Sequence, residues 1–360
     1  MVRKTNFIAT LIVILLVNAC APAPAEAPIV AENAPVTDLS GIKTYLLKKS
    51  SELTNSSQAL KDAADIYYEL AKASGFDYAA LWESNSGEVS AALTSAKTAW
   101  RAASPLYEQM EGIVAGTPSL AEYDVILDAG ASGTDDPDNA VPFDLTLPDG
   151  RVLSKPGNLF GVLESALWGT YADFTTGIEA DLNNSGSIDF GEKLPDANVL
   201  KAGADALHSY ASELGTSAQA WEPTVSDAFT ALVVMTPTMS EYFNSWKNSR
   251  FILGGASAQR DFVVISRLAD IENILGSLQV VYGEVKPLVE AEDAAQAAQI
   301  ETSFEDLKNF VSAVYAKEQG GYQHTPEEAD ALGVEAQNRS TAIAGQIAQI
   351  AAKLNIPIEE

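Results

Sequence analysis

The sequence contains a single cysteine, Cys20, so no disulfide can cross-link the chain to itself. Histidine is almost as scarce, with only His208 and His324. Two separated imidazoles leave little for a Ser-His-Asp triad, and no Gly-x-Ser-x-Gly elbow accompanies them. Glycine-rich nucleotide loops are missing as well; Gly254-Gly255 follows a helical run and reads as its C-terminal stop. Basic residues are few, 22 Lys and Arg against 49 Asp and Glu, for a formal charge of −27. Nucleic acid and anionic lipid are therefore poor partners for the folded surface, and cations are favoured ones. These deficits point away from an enzyme and toward a binding protein.

The N-terminus speaks to location. Arg3 and Lys4 precede an apolar run from Phe7 to Val17, which ends at Asn18-Ala19-Cys20. That run is too brief to span a bilayer comfortably, and residues 1–19 read as a secretory signal. The pattern Val17-Asn18-Ala19-Cys20 resembles the lipobox of bacterial lipoproteins. The resemblance implies that Cys20 is lipidated and that the chain is exported and anchored to the membrane of the cell envelope, facing the periplasm or the exterior. Losing Arg3 and Lys4 leaves 20 basic against 49 acidic residues, a formal charge of −29. Residues 20–37 are rich in Pro and Ala and read as a tether. The folded part is expected over 38–356.

Within it, periodicity is helical almost throughout. Ile42, Tyr45, Leu46, Leu53, Leu60, Ala64, Tyr67 and Ala71 recur at helical spacing, as do Ile265, Leu268, Ile271, Leu275, Leu278, Tyr282, Val285 and Leu288. Ile300, Phe304, Leu307, Val311 and Val314 form a third stripe, and Ile343, Ile347, Ile350 and Leu354 a fourth. Such stripes bury against neighbouring helices, giving an all-α bundle protein. Pro223, Pro237 and Pro287 mark expected breaks. Alternation on both sides of Pro148-Asp149-Gly150 suggests a small β-hairpin inserted between helices.

A second insertion carries chemistry. Residues 181–192, DLNNSGSIDFGE, follow the grammar of a twelve-residue calcium loop. Asp181, Asn183, Ser185, the carbonyl of Ser187, Asp189 and Glu192 occupy the ligand positions, Gly186 the sharp turn and Ile188 the apolar anchor. Lys193 and Pro195 depart from the usual continuation into a helix, and no second loop or Met-rich groove accompanies it. The expectation is a structural Ca²⁺ site with Kd on the order of 10⁻⁴ to 10⁻³ M.

The segment FGVLESALWG, 160–169, resembles the F-H-x-x-E-x-x-L-W signature of the imelysin-like family, which includes envelope iron-uptake proteins. Glu164, Leu167, Trp168 and Gly169 match, whereas Gly161 stands where that family has its histidine. Tyr107-Glu108-Gln109-Met110-Glu111 looks like its Y-E-x-x-E segment, Leu127-Asp128 like its downstream acidic position, and the run from Ile271 through Pro287 to Phe304 like its C-terminal bundle. The resemblance implies two antiparallel helical bundles, here 38–215 and 216–356, with a metal or ligand site between them. It also implies Glu108, Glu111, Asp128 and Glu164 as metal ligands, iron as the cation, and an uptake permease as partner. A peptidase label attaches to the family too, but a metallopeptidase needs about three strong ligands, an open position and a general base. The helical spacing of Glu108 and Glu111 independently places both on one helix face, and clustered carboxylates favour a hard cation. Glu164 has a plainer reading as a buried hydrogen-bond acceptor. His208 and His324 read as surface or cap residues.

One further segment stands out. Tyr242, Phe243, Trp246, Arg250 and Phe251 fall on a helix expected after Pro237, with Thr238 or Ser240 as cap. If these aromatics were exposed, the chain would read instead as a glycan-binding or interaction protein in which calcium is only structural.

Overall fold

The first helix, α1 (Ser40–Ala73), buries the stripe that its spacing requires: Ile42, Leu46, Leu53, Leu60, Ala64, Tyr67 and Ala71 all face inward. The computed structural model describes residues 37–359, so Cys20, the segment assigned to the signal and all of the tether before Thr37 fall outside it. Helix α2 (Tyr78–Val114) starts on Asp77, whose side chain accepts the N–H of Ala80, and is kinked at Asn85. It leads to a short α3 (Ala121–Asp124), which runs directly into a π-helical turn at Val125–Ala129.

The expected hairpin follows as β1 (Leu145–Thr146) paired antiparallel with β2 (Val152–Leu153). Helix α4 (Leu159–Trp168) is buried along its whole length, begins on Asn158, and ends at Gly169 with φ of 68°. A second antiparallel pair, β3 (Thr175–Glu179) and β4 (Lys193–Pro195), brackets the loop 181–192. Strands thus replace the helices that flank such a loop in an EF-hand, and Pro195 gives way to α5 (Ala197–Ala220).

The remaining helices are α6 (Val225–Met235), α7 (Met239–Asn248), α8 (Arg250–Leu253), α9 (Arg267–Gln319) and α10 (Pro326–Leu354). Pro223 falls between α5 and α6, and Pro237 breaks the helical path within a 3-10 turn, Thr236–Thr238, that joins α6 to α7. Pro287 does not break the chain: it lies inside α9, and the break comes at Asp293, where the backbone turns extended at φ −155° and ψ 96°. There α9 doubles back. Tyr282 donates to the carbonyl of Ala297 at 2.7 Å, Lys286 pairs with Glu301 at 2.8 Å, and Lys308 reaches Gln279 at 3.3 Å, as an antiparallel helical hairpin requires. Asp293 caps the returning arm by accepting the N–H of Gln296 at 3.0 Å.

The protein is therefore all-helical apart from two small sheets, among the described residues. Helix α2 is central: it packs on α1 on one side and on α9 and α6 on the other. At the crossing with α9 it carries Gly112, where an added Cβ would lie 2.5 Å from Ser277 Oγ and 3.0 Å from Leu278. Only glycine permits this approach, and it brings the last turns of α2 against the start of α9. Among the described residues, no helix is long and apolar enough to cross a membrane.

Candidate metal centre

Glu108 and Glu111, three apart on α2, point inward just before Gly112, and both are buried. The π-helical turn after α3 aims Asp128 at them. Such a turn widens the helix by one residue per bond and is found mostly at functional sites. The three carboxylates bring ligand atoms within 4.8 Å of one another, the only such group of acids, His and Cys among the described residues. Glu108 Oε2 and Glu111 Oε2 are buried without a hydrogen-bond partner. Glu111 and Asp128 open onto a cavity of about 370 Å³, whose wall also includes Asp135, Glu241 and Asp261.

Arg267, Asp270, Phe262 and Asp124, none of which sequence reasoning singled out, surround the cluster together with Tyr107 and Tyr242. Arg267, the first residue of α9, is 8% exposed and sends Nη1 to Asp270 Oδ2 at 2.9 Å. The same nitrogen lies 3.7 Å from Glu108 Oε1 and 3.9 Å from Asp128 Oδ2, too far for a hydrogen bond. Its guanidinium is sandwiched between Phe262 at 3.8 Å and Tyr242 at 4.6 Å. Tyr242, on α7, donates its hydroxyl to Glu111 Oε1, and Tyr107 donates to Asp124 Oδ1 at 2.7 Å.

Electrostatics follow from burial. Desolvation, with neighbouring carboxylates adding to it, pushes Glu108 well above the usual carboxylate range. It does the same to Asp128 against the opposing pull of Arg267, and lifts Asp270 to about 6 and Asp124 to about 7. Arg267 keeps its proton despite burial because Asp270, Glu108 and Asp128 surround it. With several buried acids facing one guanidinium, these carboxyls hold their protons more tightly than exposed ones do.

Glu164 does not join this group. Its Oε2 accepts the backbone N–H of Phe262 at 2.6 Å, and its Oε1 those of Val263 and Val264 at 2.9 and 3.0 Å. The family-like segment on α4 thus holds down the irregular stretch that leads into α9. Burial pushes Glu164 up to about 8 although those three N–H groups oppose it. At Gly161 an added Cβ would lie 2.8 Å from Asp261 Oδ2, so an aspartate fills the space where a side chain would begin.

The loop 181–192 is folded on its own ligand groups. Asp181 accepts the N–H groups of Ser185 and Gly186 at 2.9 and 2.7 Å, and Asn183 accepts that of Ser185 at 2.7 Å. Ser185 Oγ donates to the carbonyl of Ser187 at 3.1 Å, and Glu192 accepts from Asn183 and Asp189 at 3.2 and 2.8 Å. Gly186 takes the turn at φ of 85°. Ile188 is no anchor: it is 47% exposed, because a lone loop has no partner loop to bury it. The loop's end is tied to the bundle instead, with Lys97 Nζ of α2 donating to the carbonyl of Gly191 at 2.6 Å and Trp168 packed on Gly191.

His208 is half-buried with Nδ1 3.1 Å from Ser57 Oγ. His324 is buried rather than at the surface, packed edge-on against Trp246 and Tyr322. Neither histidine belongs to the acidic group. The aromatics of α7 are buried as well: Tyr242 is 7%, Phe243 2% and Trp246 0% exposed, and the helix stops at Asn248, before Arg250 and Phe251.

Buried carboxylates that meet where helices face one another are a layout on which helical bundles can build metal or ligand sites. The imelysin (peptidase M75) family profile matches residues 43–354, and the chain belongs to that family. No curated protein sequence matches it.

Proposed function

We propose that this protein captures a hard cation in the acidic cavity, with iron as the cargo, as a lipid-anchored protein of the cell envelope that hands the ion to an uptake permease. The observation that carries the reading is the group Glu108, Glu111 and Asp128, buried and with two carboxylate oxygens left without partners. Buried polar atoms in folded proteins are almost always bonded, so orphaned oxygens that converge ask for a ligand. All-oxygen donors suit a hard ion and give no nitrogen to favour zinc. Anchoring and export rest on the sequence around Cys20.

Binding is a better reading than hydrolysis, despite the peptidase in the family's name. The three carboxylates have no imidazole beside them, and a guanidinium stands against two of them. A metallopeptidase needs an open metal position and a free general base. The reading as a glycan-binding surface protein loses its basis with the burial of Tyr242, Phe243 and Trp246. The loop 181–192 is proposed as a separate, structural Ca²⁺ site.

The test is calorimetric titration of the purified full chain with ferric iron kept soluble by nitrilotriacetate. The wild type should bind one ion, and Glu111→Ala should weaken binding at least a hundredfold. Equal binding by wild type and variant would reject the site.

A further inference from the structure

Within that cation-binding reading, we infer that Arg267 is a resident counter-cation that competes with the captured ion and sets how tightly it is held, with Asp270 as the residue that positions it. The geometry separates two kinds of contact. Arg267 makes one hydrogen bond, to Asp270 at 2.9 Å, and merely leans on Glu108 and Asp128 at 3.7 and 3.9 Å. Its Nε has no hydrogen-bond partner. The guanidinium is held in place by Asp270 and by the faces of Phe262 and Tyr242, not by the two proposed metal ligands.

A cation entering among Glu108, Glu111 and Asp128 therefore breaks no hydrogen bond to Arg267. It faces the repulsion of a positive charge less than 4 Å from two of its ligands, in a setting where water screens little. The same charge stabilises the empty site, because it offsets part of the repulsion among buried carboxylates. Both effects lower affinity, which suits capture followed by release. The position of Arg267 supports a role beyond folding. It is the N-terminal residue of a long helix, where a positive charge is unfavourable and an acidic residue is the usual occupant.

Asp270 governs the competition. Its bond holds the guanidinium to the α9 side of the cluster; without it, the charge is free to settle on Glu108 and Asp128. Removing Arg267 and removing Asp270 should thus act in opposite directions, whereas two residues that only support the fold would both weaken binding.

Titrations with ferric nitrilotriacetate would compare wild type, Arg267→Gln, Arg267→Lys, Asp270→Asn and the double variant, with thermal melts to establish that each is folded. Arg267→Gln should bind at least tenfold tighter, and Arg267→Lys, which keeps the charge, should stay within about threefold of wild type. Asp270→Asn should bind at least fivefold weaker, but have little effect in the Arg267→Gln background. Weaker binding by a folded Arg267→Gln, or an undiminished Asp270→Asn effect in that background, would overturn the inference. Should the wild type bind no ferric iron while Arg267→Gln does, the competition stands and the capture reading falls. Should neither bind, both fall.

Discussion

Glu164 accepts the backbone N–H of Phe262 at 2.6 Å, and Phe262 stands at φ of 53°, in the left-handed region that bulky residues rarely occupy. The strain is held by three N–H bonds to one carboxylate, and it sets the ring of Phe262 against Arg267. Through this chain of contacts the family-like segment on α4 reaches Arg267 beside the acidic cluster.

Glu164→Ala should therefore cost about 3 kcal/mol of stability, because it leaves buried donors without partners. It should also weaken cation binding indirectly. Urea denaturation with and without ferric nitrilotriacetate separates the two effects: a ligand would lose affinity with little change in stability, and a support loses both. An unchanged unfolding midpoint would rule out the supporting role.

Stability should depend on pH in a direction opposite to that of most salt-bridged proteins. Burial raises Asp270 to about 6, Asp124 to about 7 and Glu164 to about 8, all above their unfolded values near 4. A group raised on folding holds its proton in the native state over the interval between the two values, so the native state binds more protons there. The resulting stabilisation is complete below about pH 4 and is lost as pH rises through 6, 7 and 8. Melting at constant ionic strength should give a higher Tm at pH 5.5 than at pH 8.5; the reverse order would contradict the assignment.

Much of this arrangement was legible in the sequence, and the rest was hidden for identifiable reasons. The stripes of α1, α9 and α10 follow from spacing alone, as does the shared face of Glu108 and Glu111. Asp128 was marked only by family resemblance, since a π-helical turn has no recognisable period. The reversal at Asp293 carries no proline or glycine, and a lone aspartate within an alanine-rich run looks like any exposed helical residue. Arg267 was missed because a cation at a helix start reads as ordinary until its burial is seen. A usable signal existed: an arginine directly after the N-cap Ser266, followed three residues later by Asp270.

The close approach of α2 and α9 offers a prediction about geometry. A methyl group at position 112 would lie 2.5 Å from Ser277 Oγ and 3.0 Å from Leu278, so Gly112→Ala must push the helices apart or displace both side chains. The expected cost is about 1–3 kcal/mol. Because Glu111 is adjacent, cation affinity should fall as well. Pairing it with Ser277→Ala, which removes the nearer obstacle, should recover part of both losses; no recovery would mean that the contact with Leu278 dominates.

The loop 181–192 can be tested apart from the cavity. If it binds Ca²⁺ with Kd near 10⁻³ M, then 10 mM Ca²⁺ should add about 1.4 kcal/mol of stability and raise Tm by roughly 2 °C or more. The same concentration of Mg²⁺, which prefers rigid octahedral sites, should do much less. Glu192→Ala should abolish the calcium response, because both of its oxygens already close the loop on the N–H groups of Asn183 and Asp189. Ferric binding in the cavity should survive that substitution, since Glu192 is not among the acids gathered there. A calcium response that persists without Glu192 but disappears with Glu111→Ala would move the calcium site from the loop to the helical cluster.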